Sequence, residues 1–480
     1  MKNIKNISRV FLLFLVMIFG CTKDFEEMNT NPNLFTNPNI DLVLPFVISN
    51  MFVDSHYDVI RRHGGAYSQH FVNLQATTYD IFSQVSGQYM FYRYILHADY
   101  IIEKAEEKGY DNRKGAALVL KAYGYSKLTD EMGDIPYYQA LDPDQTLKPP
   151  YDSQEEIYMG TGGLLDILDQ ANTLLSTKVD GLGEESDLLY QGDVKKWRKF
   201  ANSLRLRLLM RVSNKVNVDS QIAAMVNDPG KYPMFESNDD NAELQLLAGS
   251  GSRSSPLGQS ANLGDAYYKE RAASSTLVNT LKAFNDPRLA AYFEPTPDDS
   301  TQWVGIPPGI LSPATFNGGA NFYSRLTAKF EEDNNEYLPA KIMQYSEVQF
   351  LMAEAAQRGI VGGSAEGYYN AGIAGSMDFW DLPMPAGYMD QTGVKYDGSL
   401  GQIITQKWIA NFCVGNEAWF DYRRTGHPAF EIGPETLLNG EYVQRLMYPD
   451  GEETYNSENM QAAIERQGPN DMSTKMWYLK

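Results

Sequence analysis

Apolar residues recur at three- and four-residue steps over long stretches of this chain, and that spacing commits it to helices that bury one stripe against their neighbours. The clearest such segments are 92–108, 113–131, 154–175, 194–216 and 345–358, whereas strand-like alternation is scarce. Boundary residues agree. Asp152-Ser153-Gln154-Glu155 opens one segment as a capping box does, and Gly133 with Pro136 closes another. Small residues at Ala116-Ala117, Ala122-Tyr123-Gly124-Tyr125 and Ala353-Glu354-Ala355-Ala356 let a neighbouring helix approach closely. Residues 346–376 read as helix, glycine-rich turn and helix, with Tyr368, Tyr369, Ala371 and Ala374 on the second arm. That length is close to a tetratricopeptide unit of about 34 residues. The expected fold is mainly α: a degenerate array of tetratricopeptide-like helix pairs, interrupted by long irregular stretches at 179–190, 239–263, 294–322 and 383–398. Loops of that length carry binding elements on one face of a scaffold. No low-complexity linker divides the 480 residues, so 41–480 are read as one domain.

The N-terminus has its own logic. Lys2, Lys5 and Arg9 precede an apolar run over 10–19, followed at once by Gly20 and Cys21. The run is shorter than the about 20 residues that span a bilayer core, and its flanks are those of a secretory signal. Ile18-Phe19-Gly20-Cys21 resembles the bacterial lipobox, with Phe19 bulkier than that pattern has there. Residues 1–20 are therefore expected to be a signal peptide, Cys21 the lipidated first residue, and 21–40 a tether. The patch Thr22-Lys23-Asp24-Phe25-Glu26-Glu27 resembles the signal that exports lipoproteins of the Bacteroidetes to the cell exterior. With Cys21 acylated, Cys413 is the one remaining cysteine, so no disulfide staples the fold and stability rests on the core. Cys413 ends the apolar run Trp408-Ile409-Ala410-Asn411-Phe412 and is read as a small buried hydrophobe. A net charge of −20 disfavours nucleic acid as a partner.

Enzymatic constellations do not assemble. Gly249-Ser250-Gly251 lacks the third glycine of a dinucleotide loop, and neither a phosphate-binding Gly-Lys-Ser nor a Gly-x-Ser-x-Gly elbow occurs. No cofactor is expected. His56, His63 and His70 fall seven apart, about 10 Å per step on a helix, too far for neighbouring rings to share a metal. They are read as structural. The pairs Asp142 with Asp144 and Asp239 with Asp240 lack full calcium-loop spacing, and no catalytic residue is expected. What stands out is an aromatic content of 12%. Several rings sit in polar, loop-like contexts: Tyr79 and Phe82 after Asn73-Leu74-Gln75, Trp303, Phe316-Asn317, Tyr323 beside Arg325, and Trp380 after Asp378. A ring covering apolar C–H surface, with amide and carboxylate groups fixing orientation, is the chemistry that recognises a sugar or a peptide. The candidate ligand contacts are Gln75, Tyr79, Phe82, Trp303, Asn317, Tyr323, Asp378 and Trp380.

Taken in order, several segments resemble the SusD/RagB family of nutrient-binding outer-membrane lipoproteins: the lipobox with its acidic tail, the run from Thr129 to Tyr137 containing Gly133-Asp134-Ile135-Pro136, Pro150-Tyr151-Asp152-Ser153-Gln154-Glu155, and the run Gly192 to Arg205 containing Trp197. Asn285-Asp286-Pro287-Arg288-Leu289, Tyr345-Ser346-Glu347-Val348 with Ala353-Glu354-Ala355, and Glu417-Ala418-Trp419-Phe420-Asp421-Tyr422-Arg423-Arg424-Thr425-Gly426 complete the set. Physically these motifs are architecture, with Trp197, Trp419, Arg205, Arg207 and Arg423 expected to pack and pair between helices. The resemblance implies four tetratricopeptide-like units, no catalysis, and a lid-like role over a SusC-like TonB-dependent transporter as partner. It implies an outer-membrane lipoprotein facing the cell exterior that binds an oligosaccharide, with an oligopeptide as the close alternative. A glycoside hydrolase is the remoter one and needs two carboxylates roughly 5–9.5 Å apart in one cleft; a purely structural helical-repeat adaptor needs no small ligand. If Cys21 carries the anchor, Cys21→Ala moves the protein from the membrane to the soluble fraction, and membrane retention of that variant overturns the assignment.

Overall fold

The computed structural model describes residues 39–480 apart from 76, 178–179, 248–252, 256–269 and 332–336. The signal segment, Cys21, the tether to residue 38 and much of the expected loop at 239–263 lie outside the described residues. Helix α1 (Ile40–Arg61) carries the side chain of Asn39 as its N-cap and buries residues on nearly all sides, from Val43 and Val47 to His56 and Val59. Its apolar residues therefore show little periodicity, and Pro45 lies inside it, which is why the sequence pattern does not announce it.

The helices expected from periodicity form with the bounds α2 (Met90–Lys108), α3 (Asp111–Met132), α4 (Leu164–Leu174), α5 (Val194–Val212), α7 (Tyr345–Gln357) and α8 (Ala365–Phe379), with α6 (Ser275–Ala283) between α5 and α7. The segment 154–175 is not one helix. A short helix Gln154–Met159, opened by the capping box of Ser153 and Glu156, stops before Gly162 and Gly163, and α4 starts afresh. Gly133 ends α3 at φ 87, where an added Cβ would lie 1.7 Å from the Gln467 side chain, so this turn accepts only glycine. Two further helices, α9 (Leu400–Ala410) and α10 (Glu417–Thr425), complete the scaffold.

Consecutive helices pack as pairs, α2 on α3, α4 on α5, α7 on α8 and α9 on α10. The pairs then touch in sequence, through α3 on α4 and α5, α5 on α7, and α7 and α8 on α9. The result is a mainly α array of four tetratricopeptide-like pairs, as expected. Strands are minor: β1 (Phe71–Asn73) pairs antiparallel with β3 (Arg271–Ala273), and β2 (Ala242–Leu244) with β4 (Ala340–Met343). Among the described residues, 294–322 and 383–398 contain only short 3-10 turns.

A buried ion-pair network crosses the array. Arg207 on α5 meets Glu347 on α7 at 2.8 and 2.5 Å and Glu417 on α10 at 3.4 Å. Arg211, one turn on, bonds Glu417 and lies 3.3 Å from Asp130 on α3. Lys407 on α9 reaches Asp421 at 2.7 Å, and Arg424 holds Glu354 at 2.5 and 2.7 Å. Burial opposes ionisation of Asp421, but Lys407 and Arg424 beside it hold its carboxyl well below the usual range. Arg423 stacks 3.9 Å above the Trp419 ring, Trp419 donates to the Val443 carbonyl at 3.0 Å, and Trp197 donates to Asp187 at 2.8 Å. Arg205 on α5 joins α4, donating to the Leu165 carbonyl at 3.2 Å and lying 3.6 Å from Asp169.

A second core joins α1, α6 and α9. There Tyr292 stacks on Phe412 at 4.1 Å and Trp380 meets Tyr292, Tyr337 and Phe412. Cys413 belongs to this core, and burial pushes its thiol up to about 12, so it stays protonated. Two stability predictions follow from these contacts. Arg207→Met deprives Glu347 of its bidentate partner and costs about 3–5 kcal/mol in denaturant titration, much of which Arg207→Met with Glu347→Leu recovers. Trp380→Ala costs about 3–5 kcal/mol as a core deletion, and an unchanged melting temperature would refute its place in the core.

Candidate functional site

Three loops meet beyond the second core, and backbone pairing brings them there. After β1, Asn73 donates from its amide side chain and its backbone to Asp80 at 2.7 and 3.2 Å, which holds Asp80 against the end of the strand. Burial pushes the Asp80 carboxyl up to about 7, and the Asn73 bonds offset part of that cost. On the other side of β3, Ala272 bridges to Arg325 and Ser274 to Ile306. Ser324 in turn donates to the Val304 carbonyl at 2.8 Å and accepts from the Val304 N–H at 3.1 Å. Val72, Leu74, Ala272, Ile306 and Tyr323 form a small apolar cluster there, with Ile310 and Phe316 over it.

The third loop is stitched to both others. Leu437 donates to the Ile81 carbonyl at 2.8 Å, and Glu435 donates to the Gly309 carbonyl at 3.2 Å while its carboxylate accepts from Leu311 N–H. Gly433 passes so close to Pro308 that a Cβ would sit 2.2 Å from its carbonyl oxygen. The joined surface exposes Leu311, Phe322, Ile432 and Leu437. Gln75 and Asn317 are exposed on the same loops. Asn317 adopts φ 53, which asparagine tolerates, and its amide reaches the Phe322 carbonyl only at 3.5 Å, so the group is open to a ligand.

The eight residues singled out by sequence do not form one face. Gln75 and Asn317 stand on the loop surface. Tyr323 is only 1% exposed and Phe82 4%: Tyr323 lies in the apolar cluster beneath the surface, and Phe82 packs among the rings of Tyr67 and Tyr442. Trp380 is 4% exposed in the second core. As placed, these three rings have no open face for a ligand. Each is enclosed by apolar or aromatic neighbours, and the Arg325 guanidinium that suggested a binding role for Tyr323 lies over its ring at 5.8 Å. Trp303 is half-buried against the same core, with Lys282 on its carbonyl at 3.1 Å. Tyr79 is half-buried too and lines a small polar pocket with Asp54, Asp58, Arg62, His63 and Glu131. Asp378 opens into a cleft of about 490 Å³ beside Glu236, Asn238, Tyr345 and Met384, accepting from Asn238 at 3.0 Å. Phe322, which the pattern passed over, carried a usable signal in its place after Gly318-Gly319-Ala320-Asn321.

The three spaced histidines are interior. Only His56 lies in α1, while His63 meets the Asn416 side chain at 3.1 Å and His70 meets the Trp408 carbonyl at 3.0 Å. Burial pushes His56 and His70 down to about 3, so both are neutral. Among the described residues no helix is long and apolar enough to cross a membrane.

Comparison with known proteins places this architecture. A search among curated proteins finds no match. Two solved SusD homologues from Bacteroides fragilis are 24% and 25% identical, each with 92% of this chain covering 100% of theirs at TM-score 0.79. A chitin-binding SusD homologue from Flavobacterium johnsoniae is 24% identical over 92% of this chain and 99% of its own, at TM-score 0.75. The family profile described as starch-binding and associating with the outer membrane matches residues 32–449. With that match over most of its length, the chain belongs to the SusD-like family of carbohydrate-binding proteins associated with the outer membrane.

Proposed function

We propose that this protein captures an oligosaccharide on the surface built by loops 74–85, 303–323 and 431–437 and passes it to a SusC-like TonB-dependent transporter, held at the cell surface by lipid on Cys21. The reading is one of binding without catalysis. The observation that carries it is the joined loop surface itself, where the exposed Phe322 ring and Leu311 stand with the open amides of Asn317 and Gln75. Rings supply an apolar platform for the C–H face of a sugar, and amides both donate to and accept from its hydroxyl groups. Two further findings support a sugar over a peptide. The family is described by starch binding, and two structurally similar proteins, one of them 27% identical, are described as chitin-binding.

Of the remaining candidates, Trp303, Tyr79 and Asp378 flank this surface or open into neighbouring cavities, and we assign them no direct contact. Calorimetric titration of the mature chain with panels of oligosaccharides and oligopeptides tests the reading. Heat from a sugar is expected, and Phe322→Ala is expected to weaken it by about 1–2 kcal/mol, roughly five- to thirty-fold, with melting unchanged. Heat from oligopeptides alone would overturn the sugar assignment.

A further inference from the structure

Away from the loop surface, a slot of about 260 Å³ opens between the start of α2, the 136–149 loop and the short helix Glu452–Tyr455. Its jaws are the two most exposed large apolar side chains among the described residues, Leu147 at 85% and Tyr455 at 74%. Side chains of this size normally hide, and here both project at the mouth of one cavity.

The slot is preformed. Tyr92 forms one wall and is fixed by donating to the Pro136 carbonyl at 2.5 Å, and Tyr89 meets its ring edge-on at 5.0 Å. The opposite wall is held by Asn456, which donates to the Pro149 carbonyl at 2.8 Å, and by Asn459, which donates to the Lys148 carbonyl at 2.9 Å. Both sides of the opening are thus tied to the scaffold before any ligand arrives, which lowers the ordering cost of binding.

The polar groups in the slot have a definite sense. Tyr151 donates its hydroxyl hydrogen to Glu452 at 2.6 Å, so the hydrogen in the 2.9 Å contact between Tyr89 and Tyr151 comes from Tyr89. The Tyr89 oxygen is left as an acceptor. Glu452 is half-exposed and uses one carboxylate oxygen on Tyr151, leaving the other as a second acceptor. Asn456 uses its amide oxygen on Asn459 and one amide hydrogen on Pro149. The directional chemistry on offer is therefore chiefly two acceptors, one of them anionic, between an exposed tyrosine face and an exposed leucine. A ligand that fits has neighbouring hydroxyl donors, an apolar C–H face and no negative charge. The volume lies just under the ~300 Å³ at which pockets for drug-sized ligands begin, so it takes one ring and not a chain.

We propose that this slot is a second saccharide site, taking one neutral pyranose ring with its C–H face on Tyr455 and adjacent hydroxyls on Glu452 and Tyr89. It rests on the carbohydrate reading above. An apolar protein anchor is less well served, because the second oxygen of the Glu452 carboxylate would be buried without a donor.

The test is calorimetric titration of the mature chain with maltohexaose, chitohexaose and oligogalacturonate, repeated with Tyr455→Ala, Glu452→Gln and Phe322→Ala. A neutral sugar is expected to bind at about two sites per chain. Tyr455→Ala is expected to reduce that to about one and Glu452→Gln to weaken the same site about tenfold, while oligogalacturonate leaves it empty. Tyr455 is exposed, so an unchanged melting curve for its variant separates lost binding from lost folding. One site in the wild type, sensitive to Phe322→Ala and indifferent to Tyr455→Ala, overturns the slot and leaves the function standing. An absence of heat from any sugar overturns both, and binding of oligogalacturonate at the Tyr455-dependent site overturns the chemistry argued for it.

Discussion

The bidentate pair of Arg207 and Glu347, with Arg211 and Glu417 behind it, is the contact on which the order of the helix pairs depends. Apolar stripes alone tolerate sliding, because one leucine against another is nearly degenerate in register. Buried ions are not tolerant. Each carries a desolvation cost of several kcal/mol that is met only when its partner lies at bonding distance, so a slipped array leaves charges unpaired. Helix α5 supplies both guanidinium groups, and their partners come from α3, α7 and α10, which belong to three different pairs. One helix thereby fixes the whole sequence of pairs. Hydrophobic replacements of similar shape often match a buried ion pair in stability, so the network is better understood as specifying an arrangement than as adding strength.

From that scaffold the loop surface is reached through very few links. Arg271 at the start of β3 donates to the Ile60 carbonyl at 2.6 Å and the Arg61 carbonyl at 3.2 Å, capping the last turn of α1. Burial pulls this guanidinium down to about 10, yet Asp80 nearby favours its charged form. The same arginine therefore joins the central helix to β3 and sits beside the carboxyl held against the end of β1. Because β3 and the Ser274 that follows it carry the bridges to Arg325 and Ile306, the loops of the proposed binding surface inherit their position from the end of α1. The loops are irregular in conformation but are not independent of the helices.

The helical part of this plan was legible in the sequence wherever one face of a helix meets solvent. Helices α2, α3, α5 and α7 show the period and form close to the expected residues. Helix α1 escaped because it is buried nearly all round, which erases the period that identifies a surface helix. The break at 160–163 escaped because the apolar spacing on its two sides happens to continue one stripe, although Gly160, Gly162 and Gly163 stand between them. At the site, loop aromatics could be found by their polar neighbours but not sorted into exposed and buried. Asp378 and Trp380 lie two residues apart, one in an open cleft and the other in the second core. Asp378 is in the last turn of α8 and Trp380 is its C-cap, roughly 200° apart around the axis, so sequence neighbours there face opposite ways.

The two surfaces proposed to hold sugar differ in what they can recognise. On the loops, Asn317 and Gln75 offer amide groups that both donate and accept, which suits hydroxyls, ring oxygens and the carbonyl of an acetamido group alike. The slot beside Tyr455 offers chiefly acceptors, the Tyr89 oxygen and the Glu452 carboxylate, and favours hydroxyl donors on an uncharged ring. A net charge of −20 sharpens the distinction, since an anionic glycan approaching either surface meets repulsion that only local donors can offset. The loop amides supply such donors, whereas the slot supplies chiefly acceptors. Selectivity among glycans would thus arise on the loops from the choice of partners, and in the slot from the exclusion of negative charge.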